Sequence, residues 1–111
     1  MIYLLKLNHE QETFYKVGRT CDINRRIKEL KSYTPYNIEL LWVSPSGINC
    51  DNLEHWFHKD MKRLSYKPKY IFNNAREYYK EVHPSLIRSY IRANKHLIRF
   101  YDDKKSLDHI L

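Results

Sequence analysis

Residues 2–18, IYLLKLNHEQETFYKVG, decide the fold of this 111-residue chain. The apolar run Ile2–Leu7 (IYLLKL) reads as one strand, and Phe14–Gly18 (FYKVG) reads as another. The polar stretch Asn8–Thr13 separates them and predicts a turn. Two short apolar runs on either side of a polar turn predict an antiparallel β-hairpin.

A helix is predicted directly after the hairpin. Asp22 is a suitable N-cap, and the helix runs to about Lys31. Its apolar residues Ile23, Ile27 and Leu30 recur at helical spacing and form one stripe for burial.

The middle of the chain predicts a third strand and a second helix. Pro35 breaks the first helical pattern, and the apolar run Ile38–Val43 (IELLWV) reads as the strand. The second helix begins near Asn49 or Asp51 and ends near Leu64. Its predicted buried positions are Leu53, Phe57, Met61 and Leu64.

The C-terminal part predicts a two-faced helix that begins near Pro84. Its apolar face comprises Leu86, Tyr90, Ala93, Leu97 and Phe100. A basic stripe on the opposite face, within roughly a 60° arc, comprises Arg88, Arg92, Lys95 and Arg99. The order β-β-α-β-α-α predicts an α+β fold, a three-stranded antiparallel sheet flanked by helices. We expect one domain over residues 1–101 and a short charged tail over residues 102–111.

Composition favours an intracellular protein that binds polyanions. The chain has 20 Lys and Arg against 13 Asp and Glu, a net charge of +7, and such charge attracts phosphates. Ten tyrosines add faces that can stack on bases. Two cysteines, Cys21 and Cys50, are too few for a disulfide framework. No run of residues reads as a signal peptide or a membrane span, so a cytoplasmic location is expected.

The chain carries an ordered set of short motifs. Ile2-Tyr3 stands in the first strand, and Lys16-Val17-Gly18-Arg19-Thr20 ends the second. Arg26 follows Gly18 on the first helix, then comes Leu53-Glu54 with His58, and then Glu77-Tyr78-Tyr79. This order and spacing resemble the GIY-YIG nuclease superfamily, in particular its compact, often phage-encoded branch. The resemblance extends over residues 1–92. Met1 stands where that family has glycine, and Lys16 where it has the tyrosine of YIG.

The resemblance implies an endonuclease that hydrolyses phosphodiester bonds with one Mg²⁺ or Mn²⁺ ion. The residues implied as catalytic are Tyr3, Lys16, Arg19, Arg26 and His58, with Glu54 as the metal ligand. Tyr15 and Glu77 would be supporting residues, with Glu77 a partner of Arg26 or Lys16. The expected substrate is DNA rather than RNA, and the expected state is a monomer or weak dimer that does not bind membranes.

Physical arguments support several of these roles. Phosphodiester hydrolysis needs a deprotonated water and a cation beside the developing phosphorane charge. Tyr3 is the candidate to orient or deprotonate the water, and a phenol with a pKa of about 10 needs a neighbouring cation, Lys16 or Arg19. On a helix, Arg26 lies about 60° from the apolar stripe and Arg25 about 160° away. Arg26 is therefore expected to run along the sheet and hold a phosphate with its fork.

Glu54 and His58 lie one helical turn apart. A carboxylate suits a hard divalent cation, and His58 could orient a metal-bound water or protonate the leaving group. An ordinary Glu–His pair on a helix surface is the alternative interpretation.

Further basic residues are candidates for binding the nucleic-acid backbone. They are Lys67, Lys69, Arg76, Arg88, Arg92, Lys95 and Arg99, with Tyr66 and Tyr70 beside the first three. A solvated surface loop and a solvated helix face are the competing interpretations. At the level of function, the alternatives are an inactive nucleic-acid-binding module of the same fold and a small phage factor that binds or inhibits a partner protein.

Overall fold

A four-stranded antiparallel sheet forms the centre of the molecule. A computed structural model describes residues 1–44, 48–49, 51–70, 78–97 and 99–100. The strands are β1 (Ile2–His9), β2 (Glu12–Arg19), β3 (Asn37–Val43), β4 (Ile48–Asn49), β5 (Tyr78–Tyr79) and β6 (Arg99–Phe100). The helices are α1 (Ile23–Tyr33), α2 (Asp51–Asp60) and α3 (Pro84–Ala93). The main sheet has the order β3-β1-β2-β5, and β4 pairs with β6 separately.

The α+β class is confirmed, and the number of strands in the sheet is corrected from three to four. The additional strand, β5, is only two residues long and pairs with Tyr15 and Lys16 at the edge of β2. It follows a basic and aromatic stretch without a period-two pattern, and a two-residue strand is too short to produce one. The added strand brings Tyr78 and Tyr79 into the core.

The hairpin is longer than its sequence predicted. β1 and β2 pair continuously from Ile2 opposite Arg19 to His9 opposite Glu12. The polar residues predicted as a turn, Asn8–Thr13, are therefore largely paired in the ladder. The chain reverses at Glu10, the residue with a left-handed backbone (φ 57°).

Helix α1 covers one face of the sheet as predicted. The Asp22 side chain caps it by accepting a hydrogen bond from the Arg25 backbone N–H at 3.1 Å. Leu30 is fully buried, and Ile23 and Ile27 pack beside it. They contact an apolar cluster whose buried members are Tyr3, Leu5, Leu7, Phe14, Leu30, Tyr36 and Tyr78. This surface of the sheet is called the α1 face below.

Helices α2 and α3 cover the opposite face, called the α2–α3 face below. Its buried residues are Ile2, Leu4, Val17, Leu53, Phe57, Tyr79, Val82, Ile87 and Ile91. The second helix was predicted to reach Leu64, but α2 ends at Asp60 and a 3-10 turn follows at Lys62–Leu64. The Tyr90 hydroxyl donates to Asp60 at 2.6 Å and joins α3 to the end of α2.

The predicted C-terminal helix is corrected in length and in its buried face. α3 begins at Pro84 as predicted but ends at Ala93, before a 3-10 turn at Lys95–Leu97 and strand β6. Ile87 and Ile91 are its fully buried residues. Leu86 and Tyr90 are only partly buried, and Ala93 is exposed.

The basic stripe therefore does not lie on one helix. Arg88 and Arg92 belong to α3, Lys95 belongs to the 3-10 turn, and Arg99 belongs to β6. The stripe was predicted from a helix that continued to Phe100, and that continuation was wrong.

Within the described residues, no helix is long and apolar enough to span a membrane. Cys21 is exposed and forms no disulfide. Cys50 lies outside the described residues.

Candidate functional site

The sheet register divides the predicted site residues between its two faces. Residues directly opposite each other on antiparallel strands project to the same face. Tyr3 lies opposite Gly18, and Lys16 lies opposite Leu5. Tyr3 and Leu5 belong to the buried cluster on the α1 face, so Lys16 projects to that face too.

Arg19 projects to the other side. It lies opposite Ile2, which belongs to the buried cluster of the α2–α3 face. Its side chain reaches Glu54 on α2. The sequence grouped Tyr3, Lys16, Arg19, Glu54 and His58 in one site, and the structure places the first two on one face of the sheet and the last three on the other.

On the α1 face, Gly18 makes room for the ring of Tyr3. A Cβ atom at position 18 would lie 2.4 Å from the Tyr3 hydroxyl oxygen and 2.5 Å from Cζ. Only glycine fits at position 18, because the Tyr3 ring is 1% exposed and is held in place by the packed core around it. The glycine of the K-V-G motif is thus explained by packing against Tyr3.

Lys16 is the most unusual residue of this face. Its side chain is 0% exposed, and Nζ lies 5.0 Å from the centre of the Tyr78 ring. Among the described residues, no buried side-chain nitrogen or oxygen lacks a hydrogen-bond partner. Burying an ammonium group is costly even when it is paired. A buried ionisable residue with specific partners is a physical signal of a functional site.

Arg26 lies on α1, the helix that packs on this same face. Its side chain is 25% exposed, whereas that of its neighbour Arg25 is 66% exposed. Both contact Glu29, with Nη1 of Arg26 at 3.3 Å from the carboxylate. The expected difference in orientation between the two arginines is confirmed, and a phosphate-binding role for Arg26 stays a prediction.

The α2–α3 face holds a connected row of charged and polar groups. Arg19 contacts Asp51 and Glu54, each at 3.0 Å. The other carboxylate oxygen of Glu54 contacts Nε2 of His58 at 3.1 Å. Nδ1 of His58 is hydrogen-bonded to the Tyr79 hydroxyl, and the two rings are stacked with centroids 5.7 Å apart.

Sequence reasoning identified three of these five residues and missed Asp51 and Tyr79 as partners. Asp51 was read as a helix start, and the motif that contains Tyr79 gave no sign of which residue it would contact. The partners follow from the position of β5 beside β2, since Tyr79 lies opposite Tyr15 on the α2–α3 face. Tyr15 packs partly buried on that face and not beside Tyr3.

Glu54, the metal ligand that the motif implied, has a partner on each of its two carboxylate oxygens. One of its oxygens contacts the Arg19 guanidinium and the other contacts His58. The described residues contain no group of three His, Cys, Asp or Glu side chains that could hold a metal ion. As arranged, this row links α2 to the sheet, and a metal-binding role for Glu54 stays a prediction.

A third polar centre lies at the tip of the hairpin, around Glu12. Its carboxylate accepts hydrogen bonds from the hydroxyls of Tyr36 and Tyr66 and from the backbone N–H of Lys69. Burial by itself raises the pKa of Glu12, but these hydrogen bonds outweigh it and lower the pKa below its ordinary value. Burial and the nearby carboxylate raise the pKa of Tyr36 to about 12. The sequence gave no reason to single out Glu12.

The predicted nucleic-acid path is only partly described. Lys67 and Lys69 are exposed beside this third centre, and Arg88 and Arg92 lie on α3. Arg76 and Glu77 lie outside the described residues, as does the side chain of Arg99.

The stability of the fold should fall more steeply in acid for the wild type than for Glu12→Gln. Because the pKa of Glu12 is lowered on folding, its contribution is present above the pKa of the unfolded chain and is lost as the pH falls through the folded value. Urea unfolding between about pH 6 and pH 3 measures both slopes. Glu10→Gln, at the exposed neighbouring turn, is the matched control and should keep the wild-type slope. Equal slopes for Glu12→Gln and the wild type would contradict this role.

These observations define a small α+β domain with an apolar core that buries Lys16 on one sheet face and an ion-pair row on the other. The family model named T5orf172 domain matches residues 1–95. The chain therefore belongs to the T5orf172 domain family. Membership of the GIY-YIG superfamily, expected from the motifs, was wrong, since the model that matches is that of the T5orf172 domain. No curated protein and no solved structure matches the chain.

Proposed function

We propose that this domain hydrolyses phosphodiester bonds of nucleic acid, with DNA the preferred substrate. The observation that carries the proposal is the complete burial of Lys16 on the same sheet face as Tyr3, where Gly18 gives the Tyr3 ring its place. A core built only for stability would hold apolar side chains at such a position. The net charge of +7 favours a polyanionic substrate.

The proposed chemistry uses residues of the α1 face. A water molecule attacks phosphorus while the bond to the leaving oxygen breaks. Tyr3 orients this water through its hydroxyl or, ionised to the phenolate, accepts its proton, and the leaving oxygen takes a proton from a solvent water. Because Tyr3 and Lys16 are 1% and 0% exposed, helix α1 has to move aside for the substrate to reach them. The Lys16 ammonium stabilises negative charge on the phenol oxygen and on the phosphorane. Arg19 is engaged by two carboxylates on the opposite face, so the cationic role falls to Lys16 in this scheme.

Arg26 is proposed to hold the scissile phosphate. Its guanidinium is partly exposed on the helix that covers the α1 face, and its fork matches two phosphate oxygens. The pairing with Glu29 at 3.3 Å is long for a charge-assisted hydrogen bond, so a phosphate can compete with that carboxylate for the guanidinium.

The proposal includes Mg²⁺ or Mn²⁺ as the cofactor. Such an ion would supply Lewis-acid stabilisation of the phosphorane. Since the oxygens of Glu54 are engaged by Arg19 and His58, no step is assigned to an ion held there.

A cleavage assay with two neighbouring arginine variants tests the enzyme proposal. Supercoiled plasmid and a transcribed RNA are incubated with the protein in Mg²⁺, in Mn²⁺ and in EDTA. We expect metal-dependent cleavage that Arg26→Ala slows by roughly 100-fold or more, as for loss of one charge-stabilising donor. Arg25→Ala is the matched control, because it also pairs with Glu29 but points to solvent, and it should cut at nearly the wild-type rate.

The same assay contains its contradicting outcomes. The enzyme proposal would be contradicted if the wild type cuts neither substrate. It would also be contradicted if Arg26→Ala cuts as fast as both Arg25→Ala and the wild type. Cleavage that persists in EDTA would contradict the proposed metal cofactor but not the proposed roles of the residues.

A second candidate function is nucleic-acid binding without cleavage. It is favoured by the exposures of Tyr3 and Lys16, 1% and 0%, which keep both side chains from direct contact with a bound strand in this conformation. Binding that weakens steeply with salt, in the absence of any cleavage, is the result expected for this candidate.

A further inference from the structure

An open pocket lies at the tip of the hairpin, where its lining residue Tyr66 packs against the end of the α1 face. It is formed between the β1–β2 turn and the segment that precedes residue 71, and has a volume of about 530 Å³. Its lining residues are His9, Glu10, Gln11, Glu12, Tyr66, Lys69 and Tyr70. A pocket of this size is in the range that accepts small organic ligands.

Aromatic rings form one wall of the pocket. Tyr70 and His9 meet edge to face with centroids 5.6 Å apart, and Tyr36 supports both from behind at 6.1 Å from each. Tyr70 is 41% exposed, one of three large hydrophobic residues that are exposed in the described part of the chain. The edge-to-face contacts fix the orientation of the Tyr70 ring while leaving part of it available for stacking.

The polar group of the pocket is the carboxylate of Glu12. Of its two oxygens, Oε2 accepts from the Tyr66 hydroxyl and the Lys69 N–H, whereas Oε1 accepts from the Tyr36 hydroxyl. A carboxylate has about four acceptor positions, so Oε1 can accept one more hydrogen bond. The three existing bonds hold the carboxylate rigidly in the pocket lining.

Stacking beside a fixed hydrogen-bond acceptor is the arrangement that recognises an unpaired base. Aromatic side chains stack on splayed bases of single strands, and a glutamate accepts from the exocyclic amino group of cytosine. Nζ of Lys69 lies over the Tyr70 ring, 5.6 Å from its centre, and this long, exposed side chain can turn to a phosphate of a nucleotide whose base stacks on the ring. The carboxylate disfavours a base edge that presents only acceptors at this position.

We infer that this pocket binds an unpaired nucleobase with an exocyclic amino group, cytosine above thymine, within a single-stranded segment. The inference rests on the proposed nucleic-acid substrate and adds a base-selective subsite to it. Tyr70 stacks on the base, Glu12 accepts from its amino group, and Lys69 meets the backbone.

Binding of two homopolymers tests the inference. Fluorescein-labelled oligo(dC) and oligo(dT), about ten nucleotides long, are titrated with the full chain in EDTA, and the dissociation constants are taken from anisotropy. We expect oligo(dC) to bind roughly 5-fold more tightly than oligo(dT). Tyr70→Ala should weaken oligo(dC) binding by roughly 5- to 30-fold, and Tyr70→Phe should retain the wild-type affinity because it keeps the ring.

Trp56→Ala is the matched control. Trp56 is an aromatic residue of similar exposure, 39%, on the solvent side of α2, where it contacts Lys59. It should leave the preference for oligo(dC) unchanged. Thermal unfolding of each variant by circular dichroism checks that it is folded, and titration of the wild type with cytidine monophosphate, followed by NMR, reports on the Tyr70 ring and the Lys69 amide directly.

The outcomes separate this inference from the proposed activity. Equal affinities for the two homopolymers, no effect of Tyr70→Ala, or an equal loss in Trp56→Ala would each overturn the pocket, even if the wild type cuts DNA. Failure of the wild type to bind either homopolymer would overturn it as well. Selective, Tyr70-dependent binding without any plasmid cleavage would support the pocket and remove only the nuclease proposal.

Discussion

Gly18→Ala is expected to destabilise the fold by about 3 kcal/mol, the upper part of the range for overpacked cores. The added Cβ would lie 2.4 Å from the hydroxyl oxygen and 2.5 Å from Cζ of Tyr3, a ring that is itself buried. Either the ring leaves its position or β1 and β2 separate locally. In an unconstrained strand the same change would be mildly stabilising, because alanine loses less backbone entropy than glycine. The midpoint and slope of urea unfolding measure the change.

A double-mutant cycle identifies Tyr3 as the cause. In a Tyr3→Ala background the ring is absent, so Gly18→Ala should cost less than about 1 kcal/mol, and the coupling between the two sites should be large. An equal cost of Gly18→Ala in both backgrounds would contradict the contact as its origin. Tyr3→Ala alone leaves a cavity and lowers stability in its own right, which is why the comparison is made within that background.

Lys16→Met is expected to separate catalysis from folding. Methionine has a similar length and is easily accommodated in a core. It removes the cost of burying an ammonium group, which offsets the donor that the hydrogen-bond partner of Lys16 loses. The free energy of unfolding should therefore change little, while cleavage should fall by roughly 100-fold to 10,000-fold if Lys16 supports the proton transfer at Tyr3. Initial rates on plasmid and urea unfolding, measured on the same preparation, give both quantities.

Lys6→Met provides the control for this experiment. Lys6 lies on β1 of the same hairpin but is paired with Tyr15 and is partly exposed. The Lys6→Met variant should cleave plasmid at the wild-type rate. If Lys16→Met cleaves plasmid at the wild-type rate, Lys16 has no part in catalysis. If Lys16→Met greatly lowers the free energy of unfolding, Lys16 is needed for the fold.

The hairpin and the first helix could be predicted because their signals are local. The stripe of Ile23, Ile27 and Leu30 gave the buried side of α1, and Asp22 gave its start. The sheet face of each site residue could not be predicted. The run Ile2–Leu7 is apolar on both sides because β1 is a central strand covered by helices on both faces, so it lacks the alternation that assigns residues to faces.

The contacts of Glu54 depended partly on information that one sequence does not contain. Its spacing to His58 placed both on one helix face, and this contact is present. The engagement of its second oxygen by Arg19 depends on the register of β2 and on how α2 docks against the sheet. Such long-range pairings are set by tertiary packing, which motif order does not report.

The predicted end of the C-terminal helix was wrong for a local reason that the apolar periodicity does not show. Apolar residues continue at helical spacing to Phe100, yet the helix ends at Ala93. At the next residue, the Asn94 side chain donates to the Tyr90 carbonyl at 2.9 Å and its backbone N–H donates to the Ile91 carbonyl at 3.1 Å. Asparagine competes in this way with the regular helical bonds, and its place at the end of a helix is common.

The Glu12 carboxylate also has a consequence for the order in which the chain folds. Its partners Tyr66 and Lys69 are 54 and 57 residues away along the sequence, whereas the hairpin it belongs to closes through a two-residue turn. Joining distant segments costs more loop-closure entropy than closing a hairpin. We therefore expect the hairpin to form before residues 66–70 dock on its tip and complete the pocket. Residues 66–70 at the pocket are therefore also expected to be among the first parts of the described fold that a local opening releases.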